Sequence, residues 1–270
     1  MVKVFCFFFQ KRSFSLFLQF DSSRIREQNT NMSPSSMAML RERIRKLERP
    51  SARPGGVLPF GIAALDAALP EGGLSQGALH ELAGGGLDEV MAAAATLFVA
   101  GILARLERPV LWCAVARDLF APALAGVGLN PARVLYAAAP DEKHVLIAME
   151  EALRCAGLSA VVGEFARLPM VASRRLALAA EKSGVMALAL RRRREGQPWD
   201  VGLTAAATRW CVTPVASAPL DVPGVGRARW RVELVRCRGG SAGMWEVEAC
   251  DAQGCLGVFA DMGVRQVAAA

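Results

Sequence analysis

The sequence predicts an α/β fold: a central, mostly parallel sheet flanked by helices, with an antiparallel meander at its C-terminal end. Three observations carry this. Short apolar runs alternate with helical segments between residues 78 and 190. Those runs are apolar throughout, as strands covered on both faces are. After Arg194 the helices stop, and three strand-like segments follow one another directly.

Taken in order, Ala78-Leu-His-Glu-Leu-Ala83 reads as a strand and 88–105 as a long alanine-rich helix. A buried strand over 109–115 leads to a helix over 119–125 and a short strand over 134–137. A helix over 141–155 follows, with Asp141 placed to cap its first turn. The strand 160–163, the helix 170–182 and the strand 185–190 complete the parallel part. The meander is 208–216, 228–236 and 244–250. In its last two strands Trp230, Val232, Leu234, Trp245 and Val247 alternate with charged residues, and Arg238-Gly-Gly-Ser241 supplies the turn between them.

The chain of 270 residues, 53% apolar, suits one sizeable domain over residues 57–256. Residues 257–270 are read as a tail. Residues 1–36 are read as a mis-assigned or disordered extension: residues 1–31 would lie upstream of the natural start, which then falls at Met32 or Met37. Over 37–56 lie a basic amphipathic helix, with Leu40, Ile44 and Leu47 on one face, and a linker rich in proline and glycine.

The formal charge of +7 is concentrated at the front: residues 1–49 hold ten basic and four acidic side chains, the remainder 22 and 21. The body is therefore nearly neutral and not basic. The seven cysteines are scattered, with no C-x-x-C pair, and fit packed, reduced thiols in a cytoplasmic protein. Two histidines leave little for a zinc site. No run approaches the roughly 18 apolar residues of a membrane span. Asp141, Glu142 and His144 open a helix, where acids suit the dipole, and His80 reads as a packed strand residue. No catalytic constellation and no cofactor follow from these residues.

The most specific stretch is Leu58-Pro-Phe-Gly61, then Leu65-Asp66, Gly72-Gly73-Leu74, Gly77 and Leu79-His-Glu81. It resembles the lead-in to a RecA-family ATPase core. A working phosphate loop then reads G-x-x-x-x-G-K-[ST], its Lys reaching the β/γ-phosphates and its hydroxyl holding magnesium. Here Gly84, Gly85 and Gly86 open the loop, but Glu89, Val90 and Met91 stand at the second Gly, the Lys and the Ser/Thr. Asp88 and Glu89 add negative charge where phosphate would have to sit. Counting from Pro109, the water-activating acid of that family falls on Ala116. Glu164 keeps an acid near the Walker B position. The expectation is a degenerate loop and no ATP hydrolysis.

Within that superfamily the chain resembles the ImuA family of bacterial damage-inducible mutagenesis proteins. The resemblance rests on the basic Leu40–Leu47 helix, Leu58-Pro-Phe-Gly-Ile, Leu65-Asp66, Gly77-Ala-Leu-His-Glu-Leu82 and the defective loop. It implies a non-catalytic accessory role in SOS-induced translesion DNA synthesis. The implied partners are an ImuB-like inactive relative of Y-family polymerases, an error-prone DnaE-type polymerase, and RecA. The alternative is a SulA-like inhibitor of cell division that binds the tubulin-like division protein. RecA-type proteins grip single-stranded DNA with loops after their central strands. Arg191, Arg192, Arg193 and Arg194, with Trp199, are candidates for contact with DNA or a partner. Leu40, Ile44 and Leu47 are candidates for a docking seam.

Overall fold

The computed structural model describes Met39 and residues 56–86, 88–192, 202–217 and 224–258, with the backbone alone at 88–90. The extension 1–36, most of the basic helix with Leu40, Ile44 and Leu47, and the linker lie outside the described residues. So do Arg193, Arg194, Trp199 and most of the tail.

A two-stranded ribbon, β1 (Val57–Leu58) against β2 (Leu74–Ser75), precedes the sheet and encloses the one-turn helix α1 (Ala63–Asp66). Asp66 holds this lead-in together: its carboxylate accepts from the backbone N–H of Phe60 at 2.7 Å and of Gly61 at 2.9 Å. Leu65 and Leu69 are buried beneath it.

Eight strands form the main sheet: β3 (Leu79–Gly84), β4 (Val110–Ala114), β5 (Val134–Ala138), β6 (Ala160–Phe165), β7 (Met186–Arg191), β8 (Thr208–Val215), β9 (Arg229–Cys237) and β10 (Gly243–Glu248). Their order across the sheet is β10-β9-β8-β3-β7-β6-β4-β5. From β8 to β5 every pairing is parallel; β8–β9 and β9–β10 are antiparallel. The meander therefore does not merely hang from an edge. Its first strand is parallel to β3, which places β3 inside the sheet with neighbours on both sides.

The helices are α2 (Asp88–Ala104), α3 (Ala121–Gly126), α4 (Glu142–Ala152) and α5 (Met170–Ser183). Alternate strand residues feed two cores, because successive side chains point to opposite faces. On one face Leu82, Val162, Leu188, Leu190, Trp210 and Val232 meet Phe98, Val99 and Leu103 of α2. On the other, Leu79, Val161, Ala187 and Ala189 meet Val145 and Met149 of α4 and Leu176 and Ala180 of α5. Phe60, Phe98, Trp210 and Trp230 cluster in the first core, with ring centroids 5.4–6.3 Å apart.

Local chemistry sets the boundaries. Asp141 caps α4, its Oδ1 accepting from the His144 backbone N–H at 2.9 Å. Gly184, at φ +75°, ends α5 in the left-handed conformation that favours glycine. Of Gly72, Gly73 and Gly77 in the lead-in, only Gly72 has positive φ. Gly73 is required by close approach, since a Cβ there would lie 2.7 Å from the Leu58 carbonyl carbon. Among the strands that run further than the sequence suggests, β6 includes Glu164 and Phe165, and β7 includes Arg191. Both extensions carry charge into the sheet, and both charges find partners there.

Candidate functional site

The turn after β3 is the place to look for a phosphate loop. Its glycines are closely approached by Met91 and Thr213, although Gly85 itself is exposed. A Cβ on Gly84 would lie 3.0 Å from the Met91 carbonyl oxygen, one on Gly85 1.8 Å from the Thr213 hydroxyl, and one on Gly86 2.7 Å from Met91 Cγ. The Gly85 N–H donates to the Val212 carbonyl of β8 at 3.0 Å. The glycines thus allow β8 and the Met91 side chain to come close. The side chains of Glu89 and Val90 lie outside the description. α2 starts at Asp88, so these positions occupy its first turn.

The two acids of the ATPase pattern fare differently. Ala116 is exposed in the loop after β4 and carries no acid, but Asp118 stands two residues on. Glu164 is 4% exposed and committed: its Oε1 accepts from the Trp112 indole N–H at 2.8 Å, and its Oε2 faces Arg192 Nε at 3.4 Å. Arg192 also pairs with Asp118. The chain Trp112–Glu164–Arg192–Asp118 thereby joins β4, β6, the end of β7 and the loop after β4. It borders a crevice of about 560 Å³ lined by Val115, Ala116, Asp141, Glu142, Glu164 and Arg192. The crevice opens at the C-terminal ends of the parallel strands, where open α/β sheets bind ligands. Asp141 is held below the ordinary carboxylate range, chiefly because the His144 backbone N–H and ring hydrogen-bond to it.

Of the arginine run Arg191–Arg194, the candidates for contact with DNA or a partner, Arg191 and Arg192 are among the described residues, and they differ in setting. Arg191 is 8% exposed and lies on β7. Its guanidinium pairs with Glu81 Oε1 at 2.7 Å and donates to the Ala166 carbonyl at 2.7 Å. Arg192 is half-buried in the relay just described. Both guanidiniums are engaged within the fold. The physical reason is that β3 and β6 carry buried carboxylates which the ends of neighbouring strands must neutralise.

Glu81 is the residue that sequence reasoning passed over. It is 1% exposed, and besides Arg191 it accepts from Arg209 Nε at 3.1 Å and from the Thr204 hydroxyl at 2.7 Å. Arg209 in turn donates to the Gly202 carbonyl at 2.8 Å. One carboxylate therefore ties both roots of the segment 193–201 to the centre of the sheet. His80, on the opposite face of β3, is a packed residue as expected: Nδ1 lies 2.7 Å from the Thr208 hydroxyl and Nε2 2.8 Å from the Ser75 carbonyl.

Cys113, Cys211 and Cys250 are buried, whereas Cys155 and Cys255 are exposed, so the reading of the cysteines as packed applies to part of the set. Burial pushes the Cys113 and Cys237 thiols up to about 11 and Cys250 to about 12. Among the described residues no three His, Cys, Asp or Glu side chains are grouped to hold a metal ion, and no helix is long and apolar enough to cross a membrane.

The sheet order, the helices on both faces and the antiparallel C-terminal strands define a RecA-like α/β fold. Its likeness to the crystal structure of the RadB recombinase agrees, with a TM-score of 0.51 and 16% identity, covering 74% of this chain and 98% of that one. No family model matches the chain. Protein ImuA of Caulobacter vibrioides, from strain NA1000 / CB15N and from strain ATCC 19089, is 40% identical over 216 residues, covering 76% of this chain and 88% of the relative. The chain belongs to the ImuA family.

Proposed function

We propose that this protein is a non-catalytic accessory of damage-induced, error-prone translesion DNA synthesis, working in the cytoplasm through protein contacts with the polymerases of that response. Family membership supports the process. The observation that supports the absence of catalysis is the turn at Gly84–Met91, closed on Met91 and Thr213, with valine at the position of the phosphate-binding lysine. Catalysis of phosphoryl transfer is almost entirely positioning and charge stabilisation, so a turn without a cation or a magnesium-binding hydroxyl lacks its main instruments. Glu164 cannot replace them while the indole of Trp112 and the guanidinium of Arg192 hold it.

A bridging role uses the fold as a rigid body whose surfaces meet an ImuB-like partner, a DnaE-type polymerase or RecA. Two measurements test it. Calorimetry with Mg-ATP is expected to give no binding heat; turnover abolished by substitutions in Gly84–Met91 would overturn the non-catalytic reading. Affinity purification from damage-treated cells is expected to bring down the error-prone polymerase. Filamentation of undamaged cells on overexpression, without such a polymerase, would point to division control instead.

A further inference from the structure

We infer that the end of the sheet opposite the closed glycine turn is a docking surface for an acidic, leucine-bearing segment of a partner protein. This deepens the bridging role proposed above and rests on it. At the N-terminal ends of β3 and β8 a cleft of about 310 Å³ lies against α5, lined among others by Leu79, Arg174, Leu178, Glu181, Ala205 and Arg238. Large aliphatic side chains stand out around it. Val171 and Leu178, seven residues apart on α5, are 72% and 65% exposed, and Leu203 is 72% exposed. The backbone N–H of Ala205 donates to the Ser173 hydroxyl at 2.9 Å, which fastens the segment carrying Leu203 to α5. Leu178 lines the cleft itself, Val171 lies two helical turns away on the same face of α5, and Leu203 is two residues from Ala205 in the segment fastened to that helix, so the exposed aliphatics continue the cleft as a patch of the kind that partners cover.

Charge selects the partner. Arg174 from α5, Arg236 from β9 and Arg238 from the turn after it are exposed, and Glu181 is the acid lining the cleft. Arg236 donates to the Thr204 carbonyl at 3.0 Å, which places it beside the same segment. The guanidiniums of Arg174 and Arg238 make no hydrogen bond or ion pair with the described residues, unlike that of Arg175 next to Arg174, which pairs with Glu150. Guanidinium groups beside aliphatic anchors fit carboxylates that alternate with leucines. Nucleic acid fits less well: binding single strands without sequence preference relies on aromatic platforms for the bases, and the side chains lining this cleft are aliphatic, small or charged.

The test uses the full chain with isotopically labelled valine and leucine methyl groups and a synthetic helical peptide with leucines at i, i+4 and i+7 and glutamates between them. A second peptide has every glutamate replaced by lysine. The acidic peptide is expected to shift the methyl signals of Val171, Leu178 and Leu203, and the lysine peptide is not. In the R174E/R238E double variant binding of the acidic peptide should fall at least about tenfold and the lysine peptide should gain. The Leu178→Asp variant, on an exposed helix face, should keep the fold and lose the shifts. No methyl shift up to about 1 mM acidic peptide, equal response to both peptides, or displacement of the acidic peptide by oligothymidylate at the same methyls would overturn the inference. Because the readout is on the surface itself, it can fail while the damage response still requires the protein, or succeed where no polymerase co-purifies.

Discussion

Glu81 and Glu164 are both buried carboxylates on central strands, yet they serve different ends. Glu81 faces the core beneath α4 and α5 and is enclosed by two arginines and a threonine. Glu164 faces the opposite core and meets one indole and one half-buried arginine at the rim of a crevice. The first is a structural knot holding three strands and the roots of segment 193–201. The second is an acid in an ATPase position that the surrounding residues have taken into structural service. The difference shows that an acid surviving at a catalytic place need not be a catalytic acid. Its partners decide.

The largest effect expected is from Glu81→Gln, which removes the buried carboxylate that Arg191 and Arg209 share. About 3–5 kcal/mol should be lost in urea unfolding. Glu164→Gln keeps an oxygen for the Trp112 indole and weakens the pairing with half-buried Arg192, which retains Asp118, so a smaller loss of about 1 kcal/mol is expected. Equal losses for the two variants would break the comparison. Trp112→Phe sharpens it, because it leaves Glu164 Oε1 without its donor and should cost about 1–3 kcal/mol, more than Glu164→Gln.

Smaller effects come from acidification. Asp141 and Asp251 have carboxyls lowered from 3.8, the first mainly by the backbone N–H of His144, the second by that of Cys255. Because their folded values lie below the unfolded one, their contribution is present above pH 3.8 and is lost as pH falls through the folded values. Asp141→Asn should flatten the acid limb of a thermal-stability profile slightly. The smallest perturbation is chemical labelling. In the native protein at neutral pH, among the described cysteines, Cys155 and Cys255 should react with a thiol reagent first. Cys113, Cys237 and Cys250, held protonated at about 11, 11 and 12, should react only on unfolding. Peptide mapping of the labelled protein checks the order.

The fold was largely legible because it is written in hydrophobic periodicity. Runs such as Ala160–Gly163 and Val185–Leu190 announce strands covered on both faces, and Trp230-x-Val232-x-Leu234 announces a strand with one face buried. Asp141 marked a helix start before any coordinate did. The site was less legible. A run of four arginines looks like a solvated patch, and the sequence holds no sign that Arg191 continues β7. Asp118, Thr204 and Arg209 carry no local signature at all, since each matters through a residue 74 to 128 positions away.

By itself the sequence determined that a two-sided parallel sheet forms and that neither lysine nor hydroxyl stands where a triphosphate would be gripped. Both are properties of residue type at a position along the chain. Only the tertiary structure decided that Met91 and Thr213 close the glycine turn, that Arg191 is interior, and that Glu164 is engaged by Trp112. Periodicity says which side of a strand a residue faces, whereas the side chain it meets there depends on strand order, and strand order is set by how the whole chain packs.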